Sequence, residues 1–282
     1  MAKAKGADFL ERMTARSHTR VAAARRQCSD ADMRARAEAA SAPPVLQLSS
    51  GGFDLIAEVK RRSPAQGQLA SRDLDPVSQA AAYARAGAAA LSVLTEPEEF
   101  YGDMADLAAV ASEVSRTPAM RKDFLVDPYQ VWEARAAGAG GVLLVAACLD
   151  RDTLGAMLSE ARALGMFSLV EVFDEPDLDH CLPVLENFAT AGLQDPAPIL
   201  LGVNCRNLRT LQVDFGRFAE FAPRMPSGFP KVAESGVTEP AQAAAVAALG
   251  YDLALVGTAL MRASDPGTAA GELLAAAREE KA

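Results

Sequence analysis

Eight short apolar runs, each parted from the next by an alanine-rich stretch with helical spacing, constrain this chain more than any other feature. They are DLIAEVK (54–60), AAALSVLT (88–95), AMRKDF (119–124), GVLLVAA (141–147), MFSLVEV (166–172), ILLGVN (199–204), KVAESG (231–236) and DLALVG (252–257). The intervening segments, among them Pro76 to Ala86, Asp127 to Ala137, Thr153 to Leu164 and Pro240 to Leu249, are closed by Gly87, Gly138, Gly165 and Gly250. Glycine is the usual residue just past a helix end. Strands buried on both faces read as near-continuous apolar runs, so eight of them with a crossover after each predict an α/β fold, a closed (β/α)8 TIM barrel. An open doubly wound sheet is the alternative, but it would begin with a glycine-rich phosphate loop after the first strand, and none is present.

The first run carries charge where a buried strand should not. Side chains alternate along a strand, so in DLIAEVKRRSP the residues Ile56, Glu58 and Lys60 share one face, with Ala57 and Val59 on the other. One face thus turns polar only at its C-terminal end, where barrel strands open into the mouth that holds active sites. A salt-bridged pair at an exposed strand edge is the competing reading. The remaining strand ends favour a site: Lys122 with Phe124 beside it, Glu171, Asn204 followed by Arg206, and Glu234 with Ser235 all fall on one rim. Half-buried charges cost several kcal/mol each unless they are paired or hold a ligand, so chance placement explains this poorly. Gly236, next to Ser235, and Gly257, next to Thr258, let backbone N–H groups approach an anion, and the loops after the last two strands form the phosphate site of many barrels. A phosphorylated substrate is the expectation, although tight turns also use such glycines.

Residues 1–50 differ in character. Phe9, Leu10 and Met13 stand at helical spacing with Arg12, Arg16, Arg20, Arg25 and Arg26 among them, and Ala42, Pro43 and Pro44 break the chain before the first strand. The expected organisation is a helical extension (1–50) packed on a catalytic barrel (51–282). A net charge of −9 argues against nucleic-acid binding. Four cysteines and two histidines without ligand spacing imply no metal site and reduced thiols. No apolar run approaches a membrane span of roughly 20 residues. The expectation is a cytoplasmic enzyme with neither membrane nor nucleic-acid partner.

The segments AEVKRRSP, SVLTEPEEFYGD, RKDFLVDPYQ, LVEVFDEPDL, GVNCRNLRTL, VAESGV and LVGTALMR, in this order from about Leu55 to Arg262, resemble the indole-3-glycerol phosphate synthase family of tryptophan biosynthesis. RKDF and GVNxRNL are its most specific motifs. Ala65 and Gly141 depart from the residues usual at those positions, and the connection Phe188 to Pro198 looks longer than usual. The resemblance implies a lyase that closes 1-(2-carboxyphenylamino)-1-deoxyribulose 5-phosphate to an indole with loss of carbon dioxide and water, without a cofactor. It implies Lys122 as the acid toward the carbonyl oxygen, its proton affinity lowered by desolvation and neighbouring cations. Lys60 assists or holds an anion, and Glu58 pairs with it. Glu171 is the implied base for dehydration, supported by Glu58 and Glu234. Asn204, Arg206 and Ser63 would hold the ring carboxylate, Phe100, Phe124 and Leu208 would wall the anthranilate ring, and Ser235, Gly236, Gly257 and Thr258 would take the phosphate. A monomer or weak homodimer is expected. Two rivals differ from this reading: an isomerase of phosphoribosylanthranilate, which would want a thiol or carboxylate base at the end of the first strand, and a non-catalytic paralogue that only binds.

Overall fold

Strands β1 (Asp54–Val59), β2 (Arg62–Ser63), β3 (Gly67–Gln68), β4 (Ala90–Leu94), β5 (Ala119–Lys122), β6 (Gly141–Val145), β7 (Phe167–Val172), β8 (Ile199–Asn204), β9 (Lys231–Glu234) and β10 (Leu253–Val256) are seen in a computed structural model that describes residues 5–50, 52–64, 66–71, 73–188, 197–206 and 212–281. Eight of them close a parallel barrel in the order β1-β10-β9-β8-β7-β6-β5-β4. Each matches one of the eight apolar runs. The exception to the expected pattern follows β1: Arg62 to Gln68 folds into a small antiparallel hairpin, β2 with β3, instead of prolonging the strand. Pro64 has no N–H to give to a ladder, and the carbonyl of Arg61 is taken up by the N–H of Leu69 at 2.9 Å.

Period-two alternation sorts the strand residues into two layers. Ile56, Ala90, Met120, Leu143, Leu169, Leu200, Val232 and Leu253 fill the barrel interior. Leu55, Ala57, Leu91, Val142, Val170, Leu201, Ala233 and Ala254 face the surrounding helices. Burying such side chains contributes about 1.5–3 kcal/mol for each large one, so the inner layer fixes the register. That register sets Glu58 beside Ser92, Leu94 beside Lys122, Glu171 beside Gly202 and Asn204 beside Glu234. Gly141, one of the departures noted above, has a packing reason: a Cβ there would run into the Phe167 ring.

Aspartates start the helices that leave the mouth. Asp75, Asp103, Asp127, Asp150 and Asp174 each accept a backbone N–H from the first turn of the following helix. Each such cap is worth about 1 kcal/mol. At the far ends Gly87, Gly138, Gly165 and Gly250 have positive φ, as the sequence pattern requires.

The first residues form α1 (Lys5–Gln27) and α2 (Asp30–Ala39). The apolar face of α1, with Phe9, Leu10 and Met13, is buried. Val21 joins Ala37 of α2 in a cluster with Tyr129 and Trp132 of the helix Pro128–Ala136. The chain then runs beneath the barrel, where Asp54 at the foot of β1 accepts the N–H of Ser49 at 2.7 Å. Most of the 188–198 connection, and Ala65, lie outside the described residues.

Candidate active site

A cavity of about 360 Å³ opens at the C-terminal ends of the strands. Glu58 and Lys60 reach it from β1, Lys122 and Phe124 from β5, Glu171 from β7, Asn204 and Arg206 from β8, and Glu234, Ser235 and Gly236 from β9. Gly257 and Thr258 follow β10, Ser63 comes from the hairpin after β1, and Phe100 from the loop after β4. Of the residues singled out in the sequence, only Leu208 has no place here, because it lies outside the described residues.

Ion pairs organise the floor. Lys122 Nζ donates to Glu171 Oε2 at 3.1 Å and to Glu234 Oε2 at 3.2 Å. Lys60 pairs with Glu58. All three carboxylates are buried. Two glycines make room for them: a Cβ at Gly202 would strike the Glu234 carboxylate, and one at Gly257 would strike that of Glu58. Gly257 therefore has a second reason to be glycine besides backbone approach to an anion.

Proton affinities differ from the sequence reading in one respect. Burial does disfavour the charge on Lys122, but Glu171, Glu234 and Glu58 outweigh it, and its pKa is raised. The neighbours that set it are anions, not cations, so Lys122 is held firmly as an ammonium. Glu234 is pushed well above the usual carboxylate range, first by burial and then by the Glu171 charge, against the pull of Lys122. Behind it, burial raises the Cys205 thiol to about 11, which leaves that thiol neutral.

The rim is built by turns. Asn204 Oδ1 accepts the N–H of Arg206 at 2.9 Å, which orients the amide of Asn204 at the end of β8. Ser235 and Gly236 both have positive φ (64° and 70°). For Ser235 that is backbone strain, of order 1–3 kcal/mol, of the kind found where a site dictates geometry. A Cβ at Gly236 would press on the Cys205 sulfur.

Sequence reasoning missed the outer support. Glu96, fully buried, accepts the N–H groups of Glu98, Glu99 and Phe100 at 3.2, 2.6 and 3.1 Å and so shapes the turn that carries Phe100. Asp123 accepts from Arg20 Nη2 at 2.7 Å, Thr95 Oγ1 at 3.1 Å and the Phe124 N–H at 2.8 Å. Helix α1 thus reaches the cavity wall, and Phe9 meets Phe124 edge-on at 6.0 Å, with Phe100 a further 6.2 Å from Phe124. Glu99 gathers Arg12, Arg16 and Arg62 at 3.6, 3.3 and 3.2 Å, tying α1 and the β2–β3 hairpin to one loop. The spacing of arginines in α1 was visible in the sequence, but their acceptors were not.

Chemically, the cavity offers an ammonium between two acids, a second ammonium–carboxylate pair, an apolar aromatic wall, and glycine-bearing turns opposite. Among the described residues no cluster of histidine, cysteine, aspartate and glutamate has the arrangement of a metal site, and no helix is long and apolar enough to cross a membrane.

Residues 10–273 match the family model described as indole-3-glycerol phosphate synthase. Indole-3-glycerol phosphate synthase of Rhodococcus jostii (strain RHA1) is 44% identical over 243 residues, covering 85% of this chain and 85% of that protein. The protein of the same name from Mycolicibacterium gilvum (strain PYR-GCK) is 45% identical over 258 residues, covering 91% and 90%. Among solved structures, 3-hexulose-6-phosphate synthase superposes with a TM-score of 0.60 at 18% identity, over 79% of this chain and 99% of that one. Phosphoribosyl anthranilate isomerase does so with a TM-score of 0.53 at 13% identity, over 80% and 99%. At those identities the likeness is one of fold.

Proposed function

The chain belongs to the indole-3-glycerol phosphate synthase family, and we propose that the cavity at the barrel mouth performs that family's ring closure with Lys122 as its acid. The enzyme is a carboxy-lyase of tryptophan biosynthesis: it converts 1-(2-carboxyphenylamino)-1-deoxyribulose 5-phosphate to indole-3-glycerol phosphate, carbon dioxide and water. The observation that carries the assignment of roles is the Lys122 ammonium held between Glu171 and Glu234 beside the Lys60–Glu58 pair.

The ring carbon bearing the carboxylate attacks the ketone, and negative charge develops on the ketone oxygen. Lys122 stabilises that charge and delivers its proton; as the oxygen becomes basic and the lysine approaches it, transfer becomes favourable despite the raised resting affinity. Loss of carbon dioxide returns the bonding pair to the ring. Asn204, Arg206 and Ser63 hold the carboxylate until it leaves. Departure of the hydroxyl as water needs a second proton, from Lys122 or Lys60, and Glu171 removes the carbon-bound proton that makes the new ring aromatic. Phe100, Phe124 and Leu208 flank the anthranilate ring. Ser235, Gly236, Gly257 and Thr258 receive the phosphate, where backbone N–H groups and the Thr258 hydroxyl supply donors.

The chemistry gives no reason for a cofactor, since rearomatisation drives the decarboxylation. Residues 1–50 serve as an extension packed on the barrel of residues 51–282. The protein acts in the cytoplasm as a monomer or weak homodimer, on a small phosphorylated substrate and not on nucleic acid or membranes. An isomerase site would place a thiol or a lone base where Glu58 and Lys60 stand.

The test is to supply the carboxyphenylamino deoxyribulose phosphate to purified protein without added metal or nucleotide. Indole fluorescence should appear. Its absence would remove the reading.

A further inference from the structure

Three buried glutamates face two lysines in this cavity. Glu58, Glu171 and Glu234 side chains are 3%, 2% and 1% exposed, while Lys60 and Lys122 supply the cations they contact. Fully ionised, the cluster holds one uncompensated negative charge away from water, which is expensive. Arg206 lies on the cavity wall, but among the described residues it pairs with neither Glu171 nor Glu234. One oxygen of Glu234, Oε1, is buried without a hydrogen-bond partner among the described residues, a poor position for half of a carboxylate and an acceptable one for the neutral acid. The other oxygen is shared with Lys122, and Glu171 is close enough to hydrogen-bond the same carboxyl group.

The reaction itself needs a proton. With the ring carboxylate ionised, carbon dioxide leaves as a neutral molecule and the hydroxyl leaves as water. Two protons go to oxygen and one returns from carbon, so each turnover consumes one.

We propose that the resting enzyme stores this proton on Glu234, within the Glu171–Glu234 pair, and that Glu234 recharges Lys122 in mid-turnover. This rests on the ring-closure reading given above. Lys122 gives its proton to the ketone oxygen as the carbon–carbon bond forms and becomes a neutral amine. Glu234 then passes its proton to that amine and becomes a carboxylate, which the restored ammonium stabilises. Lys122 donates again as water leaves, and Glu171 takes the proton from carbon and hands it to Lys122. The enzyme ends one proton short, at Glu234, and solvent restores it.

The groups facing Glu234 agree. Glu171 on β7 raises its proton affinity, Lys122 on β5 lowers it, and burial raises it further, with the net direction well upward. The Cys205 thiol behind it is neutral. Glu58, paired with Lys60 at the end of β1, raises the proton affinity of Lys122.

Infrared difference spectroscopy on the full chain across a pH titration reads the stored proton directly. The wild type should show the carbonyl stretch of a protonated carboxyl group near neutral pH, and Glu234→Gln should lack it. In steady state Glu234→Gln should lower kcat about a hundredfold with KM nearly unchanged, while Glu234→Asp, which can still carry a proton, recovers part of the loss. The wild-type kcat should fall on the alkaline side, and that limb should be missing from the Glu234→Gln profile. A wild type without the band at neutral pH overturns the proposal, as does Glu234→Gln turning over within about twofold of wild type. Should Glu234→Gln fail to fold, the wild-type band and Glu234→Asp still decide. A wild type that makes no indole would sink the ring-closure reading and leave the band untouched.

Discussion

Arg20 in α1 donates from Nη2 to Asp123 Oδ1 at 2.7 Å, across 103 residues of sequence. Asp123 follows Lys122 and precedes Phe124, so one guanidinium ties the first helix to the strand end that carries the acid and part of the aromatic wall. Arg20→Met should take from a buried carboxylate the nearer of its two cations, leaving Arg121 at 3.4 Å, lower stability by about 1–3 kcal/mol in urea unfolding, and cut kcat/KM about tenfold through misplacement of Lys122. A variant equal to wild type in both measurements would show that the link is idle.

Lys122 is expected to dominate the chemistry. Lys122→Met should reduce kcat by about 10²–10⁴ while the protein still folds. Glu171 would then keep a buried charge without its cation, so the variant should also be less stable than wild type in urea unfolding. Normal turnover in the mutant would strip Lys122 of its role.

Gly257→Ala should disturb activity more than folding. The new methyl group meets the Glu58 carboxylate, the flexible end of a side chain, so the cost in stability is about 1–3 kcal/mol. Glu58 must move off its partner Lys60 to make room. Kinetics and thermal unfolding measured together would show whether turnover falls further than stability.

The raised proton affinity of Glu234 carries a stability consequence of definite sign. Below the ordinary glutamate range both folded and unfolded chains hold the proton. Above it the unfolded chain releases it and the folded one does not, so stability declines with rising pH until Glu234 itself ionises. Glu234→Gln removes this dependence. It should be more stable than wild type at about pH 8 and equal to it in acid, a gain opposed to its loss of turnover. Urea unfolding at the two pH values tests the sign.

The barrel was legible because its information is local. An apolar run of five or six residues ending in a charge, such as that of β1 or β7, identifies both a strand and the direction in which it opens, and period two places Glu58 on the inner face. Glycines after Ala86, Ala137, Leu164 and Leu249 mark helix ends for equally local reasons. Three things needed coordinates. The hairpin Arg62 to Gln68 hides inside a stretch that looks like the tail of a strand. The direction of the Lys122 shift depends on carboxylates brought in by β1, β7 and β9, and no residue near it in sequence announces them. The room that Gly202 and Gly257 make for Glu234 and Glu58 arises between neighbouring strands, where a glycine in sequence looks like a turn or a weak spot.

Helix α1 is made before the barrel strands, yet the partners that secure it arrive late. Arg16 waits 83 residues for Glu99, Arg25 waits 102 for Asp127, and Gln130 must appear before Ser17 has its hydrogen bond. A nascent chain that has completed only its first barrel strand therefore carries an amphipathic helix with an uncovered Phe9, Leu10 and Met13. Chaperone binding to stalled ribosomal intermediates should concentrate there, and fade once translation has passed Gln130.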